Sequence, residues 1–167
     1  TGKLYRVSPY VGGMTEGMYG NSTPKDLEFL FQSIYAYFTD LNFDEKAYES
    51  EKNKSKSYYA NMMSQPEMFF SKEVNDFMYG HNERYISFPP TEKDWETTDY
   101  KKAYELFKER FADASDFEFF FVGNVTDADM KAYAEQYIAA LPSLNRNETF
   151  TDTGSRAKTG VHKKEVF

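Results

Sequence analysis

A chain of 167 residues suits one domain and is long enough to bury a sizeable core. Its 16 Phe and 14 Tyr argue against disorder, and 27 acidic against 20 basic residues, with no basic block, argue against nucleic-acid binding. The absence of Cys excludes disulfides and thiolate metal sites, and no apolar run approaches the roughly 20 residues of a membrane helix. A Cys-free chain is compatible with cytoplasm and periplasm alike.

Leu4–Met14 reads as a strand running into a Gly-rich bend at Gly12 and Gly13. Thr15–Ser22, with Gly17 and Gly20, reads as a loop. Thr23-Pro24 is a helix start: Thr can cap, Pro fits the first helical position, and Asp26 and Glu28 suit the positive end. Leu27, Leu30, Phe31, Ile34, Tyr35 and Phe38 then fall on one face of a helix ending near Asp40. Asp44 opens a second, more polar helix with a weak stripe of Ala47, Tyr48, Tyr58, Tyr59 and Met62. Pro66 breaks it and starts a third helix, with Phe69, Phe70, Val74, Phe77 and Met78 as apolar positions and Gly80 as its stop.

His81–Pro90 reads as a loop, and Thr91–Trp95 as a short helical turn. Asp99–Phe111 reads as a fourth helix that buries Tyr100, Ala103, Tyr104, Phe107 and Phe111. Phe117–Val122 is almost continuously apolar, the pattern of a central strand buried on both faces. Thr126 or Asp127 opens a last helix that stops before Pro142. Asn145–Gly160 has no periodicity and reads as a linker, and Val161–Phe167 as the first strand of a further domain. The main domain is therefore expected over residues 1–144, and Leu27, Leu30, Phe31, Ile34, Phe107, Phe119 and Phe121 as one core. The fold class expected is α+β, an antiparallel-rich sheet with helices packed on one face. The start at Thr1 is expected to cut off the N-terminal part of this domain.

Few residues offer chemistry. His81 and His162, the only histidines, are too isolated in sequence to suggest a metal pair, and solvated loop positions are expected. The Glu and Lys residues of Glu45–Lys56 read as an exposed helix face. Asp113, Asp116, Asp127 and Asp129 crowd the strand ends without calcium-loop spacing, so helix capping by Thr126 or Asp127 is the better reading. No catalytic residue can be assigned, since neither a Ser/His/Asp order, a Cys nucleophile nor a phosphate loop can be assembled.

The order of these blocks resembles the pitrilysin/insulinase family of zinc metallopeptidases, the inverzincins. The blocks are Gly12-Gly13 at a strand end, the amphipathic helix leading into FDEKAYESEKNKSK (Phe43–Lys56), the Gln65-Pro66 helix break, the Met78–Thr98 loop, and YELFKERFADASDFEFFFVGN (Tyr104–Asn124). They span nearly the whole chain and look most like the bacterial members in which one chain holds four similar α/β-roll domains. The resemblance implies zinc in the catalytic half, held by a His-x-x-Glu-His helix and a Glu from a later helix. This chain contains no His-x-x-Glu-His. Anchored on Phe43-Asp44-Glu45, the later Glu position falls at Tyr58, a poor zinc ligand; a slip of alignment restores Glu49 or Glu51.

The resemblance therefore implies a domain of the non-catalytic C-terminal half, with no cofactor in this segment. Such a domain walls the proteolytic chamber, contacts other domains of the same polypeptide and helps hold peptide substrate. It also implies a periplasmic or exported protein. Substrate contact is expected at Tyr10, Val11, Gly12, Gly13 and Met14, by strand addition to a sheet edge; the plainer reading is that these glycines only make a turn. Two alternatives stay open: a stand-alone peptide- or protein-binding module, and a catalytic domain truncated before its zinc motif.

Overall fold

The computed structural model describes residues 2–149 and 151–166, so Thr1, Phe150 and the end of the expected last strand, Phe167, lie outside the described residues. The chain divides into two compact units. One comprises Thr1–Phe43 with Lys101–Phe150, the other Asp44–Tyr100 with Thr151–Phe167. Among the described residues there are six α-helices and one two-stranded antiparallel sheet, an α+β composition.

In the first unit, β1 (Tyr5–Val11) pairs with β2 (Glu16–Ser22), with Tyr5 opposite Ser22 and Val11 opposite Glu16. The second strand replaces the loop expected over Thr15–Ser22. Its glycines looked like loop residues, but here they admit neighbours. A Cβ on Gly17 would lie 2.9 Å from the Tyr10 hydroxyl, and one on Gly20 would lie 2.8 Å from Leu30 Cδ1. The Tyr10 ring covers the glycine opposite it and stacks on Tyr19 at 5.1 Å. Cross-strand packing thus offsets the low strand propensity of glycine.

A turn of 3-10 helix at Pro24–Asp26 leads into α1 (Leu27–Thr39), whose stripe packs on both strands. Thr23 makes no side-chain cap to a backbone N–H; its hydroxyl donates to Asp26 Oδ2 at 3.0 Å. The buried Asp26 carboxylate also accepts the Leu4 backbone N–H at 3.0 Å and lies 3.6 Å from Lys3 Nζ. Leu30, Phe31 and Ile34 are buried, together with Phe111 and Leu141. Leu27, Phe107, Phe119 and Phe121, expected in the same core, are half-buried at its margin.

The second unit begins at Asp44, whose carboxylate accepts the Ala47 N–H at 2.9 Å and caps α2 (Glu45–Met63). Pro66 opens α3 (Pro66–Tyr79), and Gly80 ends it. Thr91 and Asp94 exchange side-chain and backbone hydrogen bonds as a capping box at the start of α4 (Glu92–Thr97). None of these three helices has a buried residue. Residues 161–166 form no ladder, unlike the strand expected there; the His162 ring meets the edge of Phe77, and Lys164 pairs with Glu73 at 2.7 Å.

From Tyr100 to Arg110 runs α5, and α6 (Asp127–Tyr133) continues as a π-helical turn over Ala134–Ile138. Thr126 is the cap of α6, accepting the Asp129 N–H at 3.1 Å. The central strand expected at residues 117–122 is an extended segment without a ladder. Its alternation survives: Phe117 meets Phe38 with ring centroids 5.0 Å apart, and Phe121 stacks on Phe31 at 4.7 Å.

Candidate functional site

The residues expected to touch substrate lie at the tip of the hairpin. Tyr10 and Val11 form the last pairs of β1, and the Gly12 N–H donates to the Thr15 carbonyl at 2.8 Å to close the turn. At the other end the Thr23 N–H donates to the Leu4 carbonyl at 3.1 Å. Antiparallel pairing alternates, so the even-numbered residues of β1 aim their backbone groups at β2. Tyr5, Val7, Pro9 and Val11 turn theirs outward, where no other strand pairs among the described residues. Pro9 lacks an N–H at one of those positions, a common feature of an edge strand.

Acidic groups surround the turn end of the hairpin. Burial pushes the Glu16 carboxyl up against the pull of the Arg110 guanidinium, 4.0 Å away, and Glu148, Asp116 and Glu109 push the same way as burial. Asp113, whose role sequence reasoning missed, is a buried clamp. Its Oδ1 accepts Ser115 N–H, the Ser115 hydroxyl and Leu144 N–H; its Oδ2 accepts Arg146 N–H at 2.7 Å. Between those two donors Asn145 takes a left-handed φ of 52°, which turns both N–H groups toward one carboxylate. Burial works to raise the Asp113 carboxyl, but these donors outweigh it and hold it well below the usual range.

A second edge lies at residues 117–122. Phe117, Phe119 and Phe121 face α1, whereas Glu118, Phe120 and Val122 face out. Phe120 is 81% exposed and Val122 fully so. Among the described residues, no backbone hydrogen bond joins residues 118–122 to another segment.

In the second unit, Tyr58 projects from α2 with 64% exposure, edge-on to Tyr59 at 5.3 Å. Glu49 and Glu51 on the same helix pair with Lys52 at 3.6 Å and Lys54 at 3.4 Å. A neutral phenol beside lysine-paired carboxylates does not fit a zinc ion. Among the described residues, no group of three His, Asp or Glu side chains converges as a metal site. His81 is exposed, and a ring nitrogen of His162 lies 2.8 Å from the Thr159 carbonyl. No helix among the described residues is long and apolar enough to cross a membrane.

The same unit holds a cavity of about 430 Å³ lined by Met62, Met68, Tyr79, Tyr85, Ile86 and Pro89 among others. Beside it, Asp76 pairs with Lys72 and accepts the Tyr85 hydroxyl at 2.9 Å. Burial, followed by the hydrogen bond to Asp76, pushes the Tyr85 phenol up to about 12. Burial alone would raise the Asp76 carboxyl, but hydrogen bonds led by Lys72 bring it below its ordinary value. The cavity is thus net neutral and mostly apolar. Nothing in the sequence marked it, because its walls come from α2, α3, the following loop and the distant Ser155.

The fold defines an α+β chain: among the described residues, one unit holds a two-stranded hairpin and the extended segment 117–122, and the second unit is helical. Comparison with family models, with curated proteins and with solved structures finds no match to this chain.

Proposed function

We propose that this chain is a non-catalytic domain of a zinc metalloendopeptidase of the pitrilysin/insulinase type, walling a proteolytic chamber and helping to hold peptide. The order of sequence blocks from Gly12-Gly13 to Asn124 supports the family. The observation that carries the role is the one-sided pairing of β1, whose outward N–H groups at Tyr5, Val7 and Val11 are placed for strand addition. In this reading the α/β roll is completed by other parts of the polypeptide, zinc belongs to another half, and Tyr58 stands where a ligand would be.

The same free edge supports a second reading, a stand-alone module that binds an extended peptide. Two measurements separate them. Metal analysis and peptide cleavage assays on the chain are expected to give no stoichiometric zinc and no chelator-sensitive activity; either one found would sink the non-catalytic assignment. Co-expression with the sequence flanking this chain in its natural reading frame is expected to give one co-purifying particle in which amide exchange at residues 5–11 slows. A monodisperse chain that stays separate, yet protects residues 5–11 on adding peptide, favours the module.

A further inference from the structure

We propose that residues 117–122 are a strand-accepting edge whose occupant is an extended peptide strand with alternating apolar side chains and basic flanks. This inference does not depend on the peptidase reading. Three phenylalanines locked on α1 hold the segment extended before anything binds, so little conformational entropy remains to be lost there. Among the described residues, its backbone N–H and C=O groups from 118 to 122 are bonded to no other segment. Only another strand presents donors and acceptors at the matching spacing. A helix laid across Phe120 and Val122 would cover apolar surface but leave that row of backbone groups unpaired.

The residue pattern points the same way. A run with Phe on both faces is that of a strand buried on both faces, yet here Phe120 and Val122 lie open. Charge selects the occupant. Asp116 and Glu118 at one end of the segment and Asp127 at the other carry no ion pair among the described residues. Glu16 lies close enough to Asp116 for the two carboxylates to repel. Two copies of this chain, each of net charge -7, would bring these acidic ends together. Lysines flanking an apolar strand would neutralise them.

The test is amide hydrogen exchange on the full chain with a synthetic alternating Thr-Val peptide carrying lysines at both ends. Exchange at residues 118–122 is expected to slow by about tenfold or more at saturation. The same peptide ending in glutamates is expected to bind about tenfold more weakly at low salt, with the gap closing as salt rises. Phe120→Ser with Val122→Ser, both outward positions that leave the α1 contacts intact, is expected to weaken binding. A peptide with Pro at its centre is expected to give no protection. Protection confined to residues 5–11 would overturn the proposal while leaving the β1 reading standing. Concentration-dependent protection without peptide, together with dimer in sedimentation, would overturn it in favour of a second copy. Equal binding of the lysine and glutamate peptides would overturn the choice of occupant.

Discussion

Two helices of this chain carry apolar stripes of similar spacing and end in opposite circumstances. On α1, Phe31 has no exposed surface, and Leu30 and Ile34 are buried with it. On α3, Phe70 is 56% exposed, and Phe69 and Val74 are open as well. The difference lies in what faces each stripe. The α1 stripe meets the hairpin, the rings of Phe117, Phe119 and Phe121, and Tyr133 and Tyr137 of the last helix. The α3 stripe has only part of its length covered, where Lys158 and Lys164 lie over the Phe77 ring and His162 meets its edge. An apolar stripe specifies a helix; a facing layer decides whether it becomes core. The first unit is accordingly held by burial and by two buried carboxylates, the second by caps, ion pairs and half-covered rings.

The sharpest test of that contrast is truncation of the deepest ring in the first unit. Phe31→Ala is expected to destabilise it by about 3–5 kcal/mol in denaturant titration. A loss below about 1 kcal/mol would mean that Phe31, despite the rings of Phe121 and Tyr133 against it, is not core.

The carboxylate clamp comes next. Asn145→Val places a branched residue where φ is 52°, and a cost of about 1–2 kcal/mol is expected from thermal or denaturant unfolding. Asp113 itself makes the first unit sensitive to acid. Its folded carboxyl is held below the unfolded value of about 3.9, so its contribution is fully present above that pH. The contribution is lost as pH falls toward the folded value. Asp113→Asn is expected to flatten the acid limb of the midpoint-against-pH curve; an unchanged slope would remove the clamp from the account.

In the second unit the expected effects are smaller and come from local contacts. Thr91→Ala removes the side-chain half of the capping box and is expected to cost about 1 kcal/mol, read from the unfolding of that unit. Tyr85 adds an alkaline dependence. Its phenol, raised to about 12, stays neutral in the folded unit, so its stabilisation is complete below the unfolded value of about 10. It fades as pH rises through the folded value. Ultraviolet titration is expected to show late tyrosines, of which Tyr85 titrates earlier in Asp76→Asn. The smallest effect is expected for Phe70→Ser, within about 0.5 kcal/mol, since that ring is already open. A loss as large as that of Phe31→Ala would erase the distinction between the two stripes.

The sequence by itself determined the helices and where they begin. Pro24, Asp44, Pro66, Thr91 and Thr126 act within a few residues of themselves, through ring geometry or a side-chain oxygen reaching a nearby N–H. It also marked Leu30, Phe31 and Ile34 as one buried face, because helical periodicity is local. Features that need a distant partner were decided only in three dimensions. Residues 16–22 became a strand because β1 lies opposite and because Tyr10 and Leu30 fill the space above two glycines. Residues 117–122 kept a strand's alternation but gained no ladder, since among the described residues β1 and β2 pair only with each other. Asp113, read only as one of several acids crowding the strand ends, became a clamp because Leu144 and Arg146 return to it from more than thirty positions away. A cap needs only its own turn of chain, whereas a ladder, a buried carboxylate or a filled glycine needs a partner that sequence proximity does not supply.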